Sequence, residues 1–132
     1  MPIRIDQIEN GHIVRFVIDD PWSADEIPEA KETARALFRQ ARHTVHALAD
    51  LRHAAMSMAL VMAAQQVIGG EPFPNAGQIA VVGISSLMRF MAAPILRLSG
   101  GADTVSFFDT SEQAVQYLRR CIETERPNLA AR

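Results

Sequence analysis

A chain of 132 residues, 48% of them apolar and 21% charged, is long enough to form one domain with a buried core. Its net charge of −2 does not indicate the basic face of a nucleic-acid-binding protein, so we expect no nucleic-acid partner. Cys121 is the only cysteine, which excludes an internal disulfide and fits a reducing compartment.

Neither a secretory signal nor a membrane span is predicted. The first residues lack the apolar core of a signal peptide. The uncharged run at residues 54–70 contains Ser57, Gln65 and Gln66 and is shorter than the ~20 apolar residues needed to cross a bilayer. We therefore expect a cytoplasmic protein.

The first part of the chain predicts a β-hairpin followed by an amphipathic helix. Residues 3–8 alternate imperfectly between apolar and polar, and residues 12–19 form a more apolar strand. The Asn-Gly pair at positions 10–11 favours a tight turn between them. The helix that follows has Asp25 as its expected N-cap and Pro28 in its first turn, because proline fits only there.

Three strand–helix pairs follow the hairpin in strict alternation. The predicted strands are residues 44–51, 78–83 and 104–108, and the predicted helices are residues 55–68, 87–98 and 111–123. Thr110 and Gln113 predict a capping box at the last helix. This order predicts an α/β fold with a single, mostly parallel five-stranded sheet opened by the hairpin and covered by helices. Residues 1–124 would form this domain and residues 125–132 a flexible C-terminal tail.

Polar side chains gather at the carboxyl ends of the predicted parallel strands, the edge at which α/β sheets bind ligands. Strand–helix junctions require helix caps and turn formers in any case, so a purely structural role is the favoured interpretation and a binding site is the alternative. The candidate ligand or partner site consists of Asp50, Arg52, His53, Ser57, Ser85, Ser86 and Arg89.

No catalytic or metal-binding signature accompanies this site. Asp50 and His53 invite an acid–base interpretation, but no G-x-S-x-G motif supplies a nucleophile, and Cys121 lies on a buried helix stripe. His43 and His46 would point to opposite faces of their strand, with no glutamate or cysteine at ligand spacing. The glycines form no phosphate-loop pattern. We therefore predict a non-enzymatic protein without cofactor or metal.

The helices at residues 55–68 and 87–98 carry few charges and five methionines. Methionine is adaptable and common on apolar contact surfaces. These helices could be core or a subunit interface, which favours a homodimer, or they could line a pocket for an apolar ligand whose anionic head is held by Arg89 or Arg97. The candidate apolar interface consists of Met58, Met62, Met88, Phe90 and Met91.

The order of elements resembles that of the STAS domains, in particular the SpoIIAA-like anti-sigma-factor antagonists. The resemblance covers nearly the whole chain. It is carried by the hairpin turn at residues 10–11, the segment ALADLR at 47–52, the strand at 79–83, and the segment FFDTSEQAVQYL at 107–118. It implies the STAS fold and action by binding rather than by catalysis.

The resemblance also bears on regulation. In the bacterial antagonists, a serine in the turn after the third strand is phosphorylated by a partner kinase. Here Asp50 is kept, but Arg52 and His53 stand where serine is expected, and the nearest hydroxyl, Ser57, lies in the next helix. A regulatory or scaffolding domain that acts through protein–protein contacts without the usual phosphorylatable serine is therefore implied. The alternative is an apolar or amphipathic small-molecule binding module, since some divergent relatives look like carriers of apolar ligands.

Overall fold

Strands and helices alternate along the chain in the predicted order. The computed structural model describes residues 3–69, 75–98 and 104–130. Within them lie strands β1 (Ile3–Ile8), β2 (Ile13–Ile18), β3 (Val45–Asp50), β4 (Ala76–Val82) and β5 (Val105–Phe108), and helices α1 (Ile27–Gln40), α2 (Met58–Gly69), α3 (Ser86–Leu98) and α4 (Ser111–Ala130). None of these helices is both long enough and apolar enough to cross a membrane.

The strands form one sheet in the order β1-β2-β3-β4-β5. β1 pairs antiparallel with β2, and the remaining neighbours pair parallel. The predicted α/β fold, with a single and mostly parallel five-stranded sheet opened by a hairpin, is confirmed. All six side chains of β3 are buried, as the middle strand of a sheet covered on both faces requires.

The helices divide unequally between the two faces of the sheet. On one side, here called the front face, Ala34 of α1, Leu60 of α2 and Met88 of α3 belong to one buried cluster. On the other side, the back face, Leu48 of β3 and Leu118 of α4 belong to a second cluster. Successive side chains of a strand point to opposite faces, so each strand contributes to both clusters. Three helices therefore cover the front face, and α4 covers the back of β3, β4 and β5.

Charged pairs occupy the back of the hairpin. Asp6 and Arg15 lie directly opposite each other across β1 and β2, and Arg15 Nε donates to Asp6 Oδ1 at 2.9 Å. Arg4 pairs with Asp19 at 2.9 Å. An antiparallel hairpin can leave one face to water, so these pairs explain why this part of the sheet needs no helix behind it.

Two local predictions need correction. The hairpin connection is a four-residue turn from Glu9 to His12, in which Glu9, Asn10 and Gly11 have φ values of 52°, 57° and 82°. The approach to α1 is capped by Ser23, and not by Asp25 as predicted, because Ser23 forms a reciprocal capping box with Glu26.

The last helix is longer than predicted. The sequence placed its end at residue 123, whereas the backbone of α4 is helical to Ala130. Residues 125–130, which the sequence assigned to the C-terminal tail, therefore have helical backbone. The flexibility of that tail stays a prediction.

Candidate functional site

Asp50 is the centre of a charged cluster at the carboxyl end of β3. Its side chain is only 7% exposed. Its Oδ1 accepts hydrogen bonds from the backbone N–H of Arg52 at 3.1 Å and from Arg52 Nε at 2.9 Å. Its Oδ2 accepts from Arg52 Nη2 at 2.8 Å and lies 3.7 Å from His53 Nε2. The structure thus brings together three of the predicted site residues.

The cluster favours the ionised form of Asp50. Burial alone would raise the pKa of this carboxyl, but the hydrogen bonds and charge of Arg52, with a smaller contribution from His53, outweigh burial and lower the pKa. The hydrogen bond to Asp50 in turn raises the pKa of Arg52. A carboxylate held in this way is a weak proton acceptor, so the geometry orients Arg52 and does not prepare Asp50 for acid–base chemistry.

Loops from neighbouring strands hold this turn in place. Asp20, after β2, donates its N–H to the carbonyl of His53 at 3.2 Å and accepts the N–H of Ala55 on its Oδ2 at 2.5 Å. Gly83, after β4, has φ +95°, and a Cβ there would lie 2.9 Å from the backbone nitrogen of Arg52. Glycine is therefore required for the close approach of these two loops.

The predicted serines are placed at helix starts. Ser57 Oγ accepts the N–H of Leu60 at 3.1 Å, and Ser85 Oγ accepts the N–H of Met88 at 3.3 Å. Both are N-cap contacts, of α2 and α3 respectively. Ser86 is the first residue of α3 and is exposed. The helix-cap interpretation accounts for Ser57 and Ser85.

Arg89 is engaged elsewhere than at Asp50. Its Nη2 donates to Asp109 Oδ1 at 3.2 Å, and its Cζ lies 5.5 Å from the centroid of the Phe107 ring. Asp50 lies two residues after Leu48 on β3, so its side chain points to the same back face, whereas α3 lies on the front. This parity separates Arg89 from the Asp50 cluster.

Most of the predicted apolar interface is exposed, with two exceptions. Met58 is half-buried against the front cluster and Met88 is buried in it. Met62 of α2 is exposed. Arg97, which the apolar-ligand interpretation invoked, has a side chain outside the described part of the structure.

Three neighbouring residues on α3 form an exposed surface, here called the α3 apolar face. Leu87 is 67% exposed, Phe90 79% and Met91 46%. Spacings of three and four residues place them on one side of the helix. Sequence reasoning included Phe90 and Met91 but not Leu87, because periodicity alone does not show which stripe of an apolar helix faces the sheet.

A groove at the outer edge of β5 was not predicted. Phe107 belongs to the front face and Phe108 to the back, so the groove passes around the edge of the sheet. Its volume is about 360 Å³. This β5 groove is lined by Arg89, Phe107, Phe108, Asp109, Gln113, Gln116, Tyr117 and Arg120. Of these residues, only Arg89 belongs to the site predicted from the sequence, and sequence reasoning did not supply the strand order that makes β5 an edge.

The histidines have structural partners. His46 is buried and its Nδ1 accepts the N–H of Gln78 at 2.8 Å. The rings of His12 and His43 stack with centroids 4.0 Å apart. Among the described residues, no three His, Cys, Asp or Glu side chains are placed to hold a metal ion.

Comparison with known proteins adds no assignment. No protein-family model matches the sequence, and no curated protein is significantly similar to it. The resemblance to the STAS domains therefore rests on the order of elements and the segments quoted above.

Proposed function

We propose that this protein is a non-enzymatic regulatory or scaffolding domain that acts through protein–protein contacts and forms a homodimer through the α3 apolar face. The observation that carries the proposal is the exposure of Leu87, Phe90 and Met91 on one side of α3. Removing an exposed phenylalanine or leucine from water is worth about 1.5–3 kcal/mol, so a protein that presents both gains by covering them.

A second copy of the chain suits this face. The α3 apolar face carries no charge of its own, so two copies can meet about a two-fold axis without like-charge repulsion. Phe90 is the most exposed of the three, and large aromatic side chains dominate the binding energy of protein interfaces.

The STAS-like character belongs to this proposal. It is supported by the hairpin and the three βα units that follow it. The turn after β3 holds Arg52 bound to Asp50 where the family has its serine, and Ser57 is engaged as a helix cap. Both contacts favour a domain regulated by assembly over one switched by phosphorylation in this turn. A cytoplasmic location is part of the proposal, and the single cysteine supports it.

The experiment is sedimentation equilibrium on the purified chain, its Phe90→Glu variant and a matched Ala36→Glu control. Ala36 is exposed on α1, another helix of the front face. We expect a dimer for the parent chain and for Ala36→Glu. Phe90→Glu should raise the dissociation constant at least about a hundredfold, because each dimer loses two buried phenyl rings.

Circular dichroism checks that Phe90→Glu is folded, as its exposure predicts. A parent chain that stays monomeric at millimolar concentration contradicts the dimer. If native mass spectrometry then shows a monomer carrying a lipid-like molecule, the alternative of an apolar small-molecule binding module replaces the proposal.

A further inference from the structure

Within residues 3–69, 75–98 and 104–130, no strand pairs with the outer edge of β5. β5 is the last strand of the sheet, and Ile79 of β4 donates its N–H to the carbonyl of Thr104 at 2.8 Å. Backbone groups of a strand point alternately to its two sides, so Thr104, Ser106 and Phe108 face β4. The N–H and C=O groups of Val105 and Phe107 therefore point away from the sheet, into the position that a further strand would take.

Positively charged side chains border this edge on both faces. Arg89 of α3 borders the front side of the β5 groove, and Arg120 of α4 borders the back side. Among the described residues that line the groove, two are arginines and one, Asp109, is acidic, so this part of the lining carries a net positive charge. The pair between Arg89 and Asp109 is weak because Asp109 is 85% exposed, so a competing carboxylate can replace Asp109.

Aromatic rings and amides complete the walls. Phe107 lies under Arg89 on the front, and Phe108 lies beside Tyr117 on the back with ring centroids 5.2 Å apart. Gln113 and Gln116 add amide groups on the back wall. Each side of the edge thus combines a cation with an apolar ring surface.

We propose that the β5 groove binds an extended acidic segment of a partner protein, which pairs with β5 as an added strand. Successive side chains of a strand point to opposite faces, so two adjacent acidic residues would reach Arg89 on the front and Arg120 on the back. The flanking apolar side chains of the segment would contact Phe107 and Tyr117. Main-chain hydrogen bonds to Val105 and Phe107 supply affinity, and the arginines select acidic sequences.

A peptide fits this groove better than a small anion does. Sites for small ligands enclose most of the ligand surface, whereas this groove follows an open strand edge past both faces of the sheet. The inference goes beyond the proposed dimer, which uses the opposite side of α3.

The test uses a fluorescein-labelled peptide of three Val-Glu-Glu-Val repeats, titrated by fluorescence anisotropy. Its controls are a Val-Lys-Lys-Val peptide and an acidic peptide whose central residues are N-methylated. Arg120→Gln should weaken binding of the acidic peptide about tenfold, since one charge-assisted contact is lost. Arg119→Gln is the matched control, because the neighbouring Arg119 pairs instead with Glu9 at 2.6 Å.

The expected pattern is binding of the acidic peptide alone, slower amide exchange at Val105 and Phe107, and an affinity in Arg119→Gln within about twofold of the parent. Equal binding of the lysine peptide, or no effect of Arg120→Gln, overturns the proposal. If the N-methylated peptide binds as tightly as the acidic peptide, strand addition is excluded. If equimolar citrate displaces the acidic peptide, the groove is a site for small anions and the proposal is wrong.

A second variant protects the test against a folding defect. If Arg120→Gln is unfolded by circular dichroism, Arg89→Gln takes its place, and it too is expected to weaken binding. Phe90→Glu should bind the acidic peptide as tightly as the parent chain does. The proposal of peptide binding in the β5 groove and the proposal of a dimer can therefore be contradicted independently of each other.

Discussion

At the residue scale, Asp50 and Arg52 form an ion pair at the carboxyl edge of the sheet in which only the carboxylate is buried. The carboxylate is buried while the guanidinium is partly exposed, so Arg52 compensates the burial of Asp50 without a comparable desolvation of its own. The pair fixes the turn between β3 and α2. It also leaves the outer side of Arg52 available to solvent beside Glu112, which contributes to the raised pKa of Arg52.

The first prediction concerns Asp50→Asn. Loss of the charged hydrogen bonds should lower the free energy of unfolding by about 2 kcal/mol at neutral pH. The folded-state pKa of Asp50 is lowered, so its stabilisation is present above the unfolded pKa of about 3.9 and is lost as the pH falls through the folded pKa. The variant should therefore lose less stability than the parent chain between neutral pH and about pH 3.

Urea denaturation at the two pH values measures both effects. Asp6→Asn is the control, because Asp6 pairs with Arg15 on the exposed back of the hairpin and should cost less than about 1 kcal/mol. Equal pH dependence in the parent chain and Asp50→Asn would contradict the role of this carboxylate.

The roles of the site residues could be predicted only in part from the sequence. The position of Asp50 at the end of an apolar strand predicted its place at the carboxyl edge of the sheet. Its contact with Arg52 was not predictable, because it depends on how the chain turns after β3 against Gly83. The separation of Arg89 from Asp50 follows from strand parity, which requires knowing which face α3 covers.

At the element scale, α2 is a helix without charged residues whose N-cap is the hydroxyl of Ser57. Ser57 caps it through the N–H of Leu60. Asp20 holds the preceding loop through the N–H of Ala55, so the loop and the helix start are fixed by separate contacts.

The second prediction compares two changes at Ser57. Ser57→Ala should lower the free energy of unfolding by about 1 kcal/mol, because the N–H of Leu60 loses its acceptor. Ser57→Asp keeps an acceptor beside the positive end of the helix and should stay within about 0.5 kcal/mol of the parent chain. Urea denaturation measures both, and an equal loss in the two variants would contradict the capping role.

The order of the elements was largely predictable, because runs of apolar residues alternate along the chain with turn-forming and helix-capping residues. The cap at α4 also follows from local sequence, and Thr110 Oγ1 accepts the N–H of Gln113 at 3.2 Å. The start of α1 was wrong because both Ser23 and Asp25 are good caps. Only the reciprocal contact between Ser23 and Glu26 distinguishes them.

At the scale of the whole molecule, the sheet has a buried centre and two different edges. β3 is buried along its full length, whereas every residue of β5 is partly exposed. β1 carries charged residues along its back, a common protection against edge pairing, and β5 is short and apolar. The two edges therefore differ in what they can bind.

The third prediction concerns hydrogen exchange in the folded state. Backbone amides of β3 should exchange only by global unfolding, and those of Val105 and Phe107 should exchange much faster through local opening. Exchange followed by NMR on the Phe90→Glu variant measures this without a second copy present. Protection of Val105 equal to that of β3 would contradict the edge position of β5.

The order of the strands in the sheet could not be predicted from the sequence. An apolar strand pattern shows that a strand is covered on both faces, but it does not identify its neighbours. The order β1-β2-β3-β4-β5 therefore had to come from the structure, and with it the groove around β5.

The position of α4 accounts for that open flank. Each of the first three helices lies on the front and is followed by a strand that shields the strand before it. α4 instead packs on the back face, where the back-cluster side chains of β3 and β4 would otherwise be exposed to solvent. Because α4 covers the back face of β3, β4 and β5, it does not cover the outer edge of β5. The position of α4 behind the sheet thus both buries the back cluster and leaves β5 as an exposed edge strand.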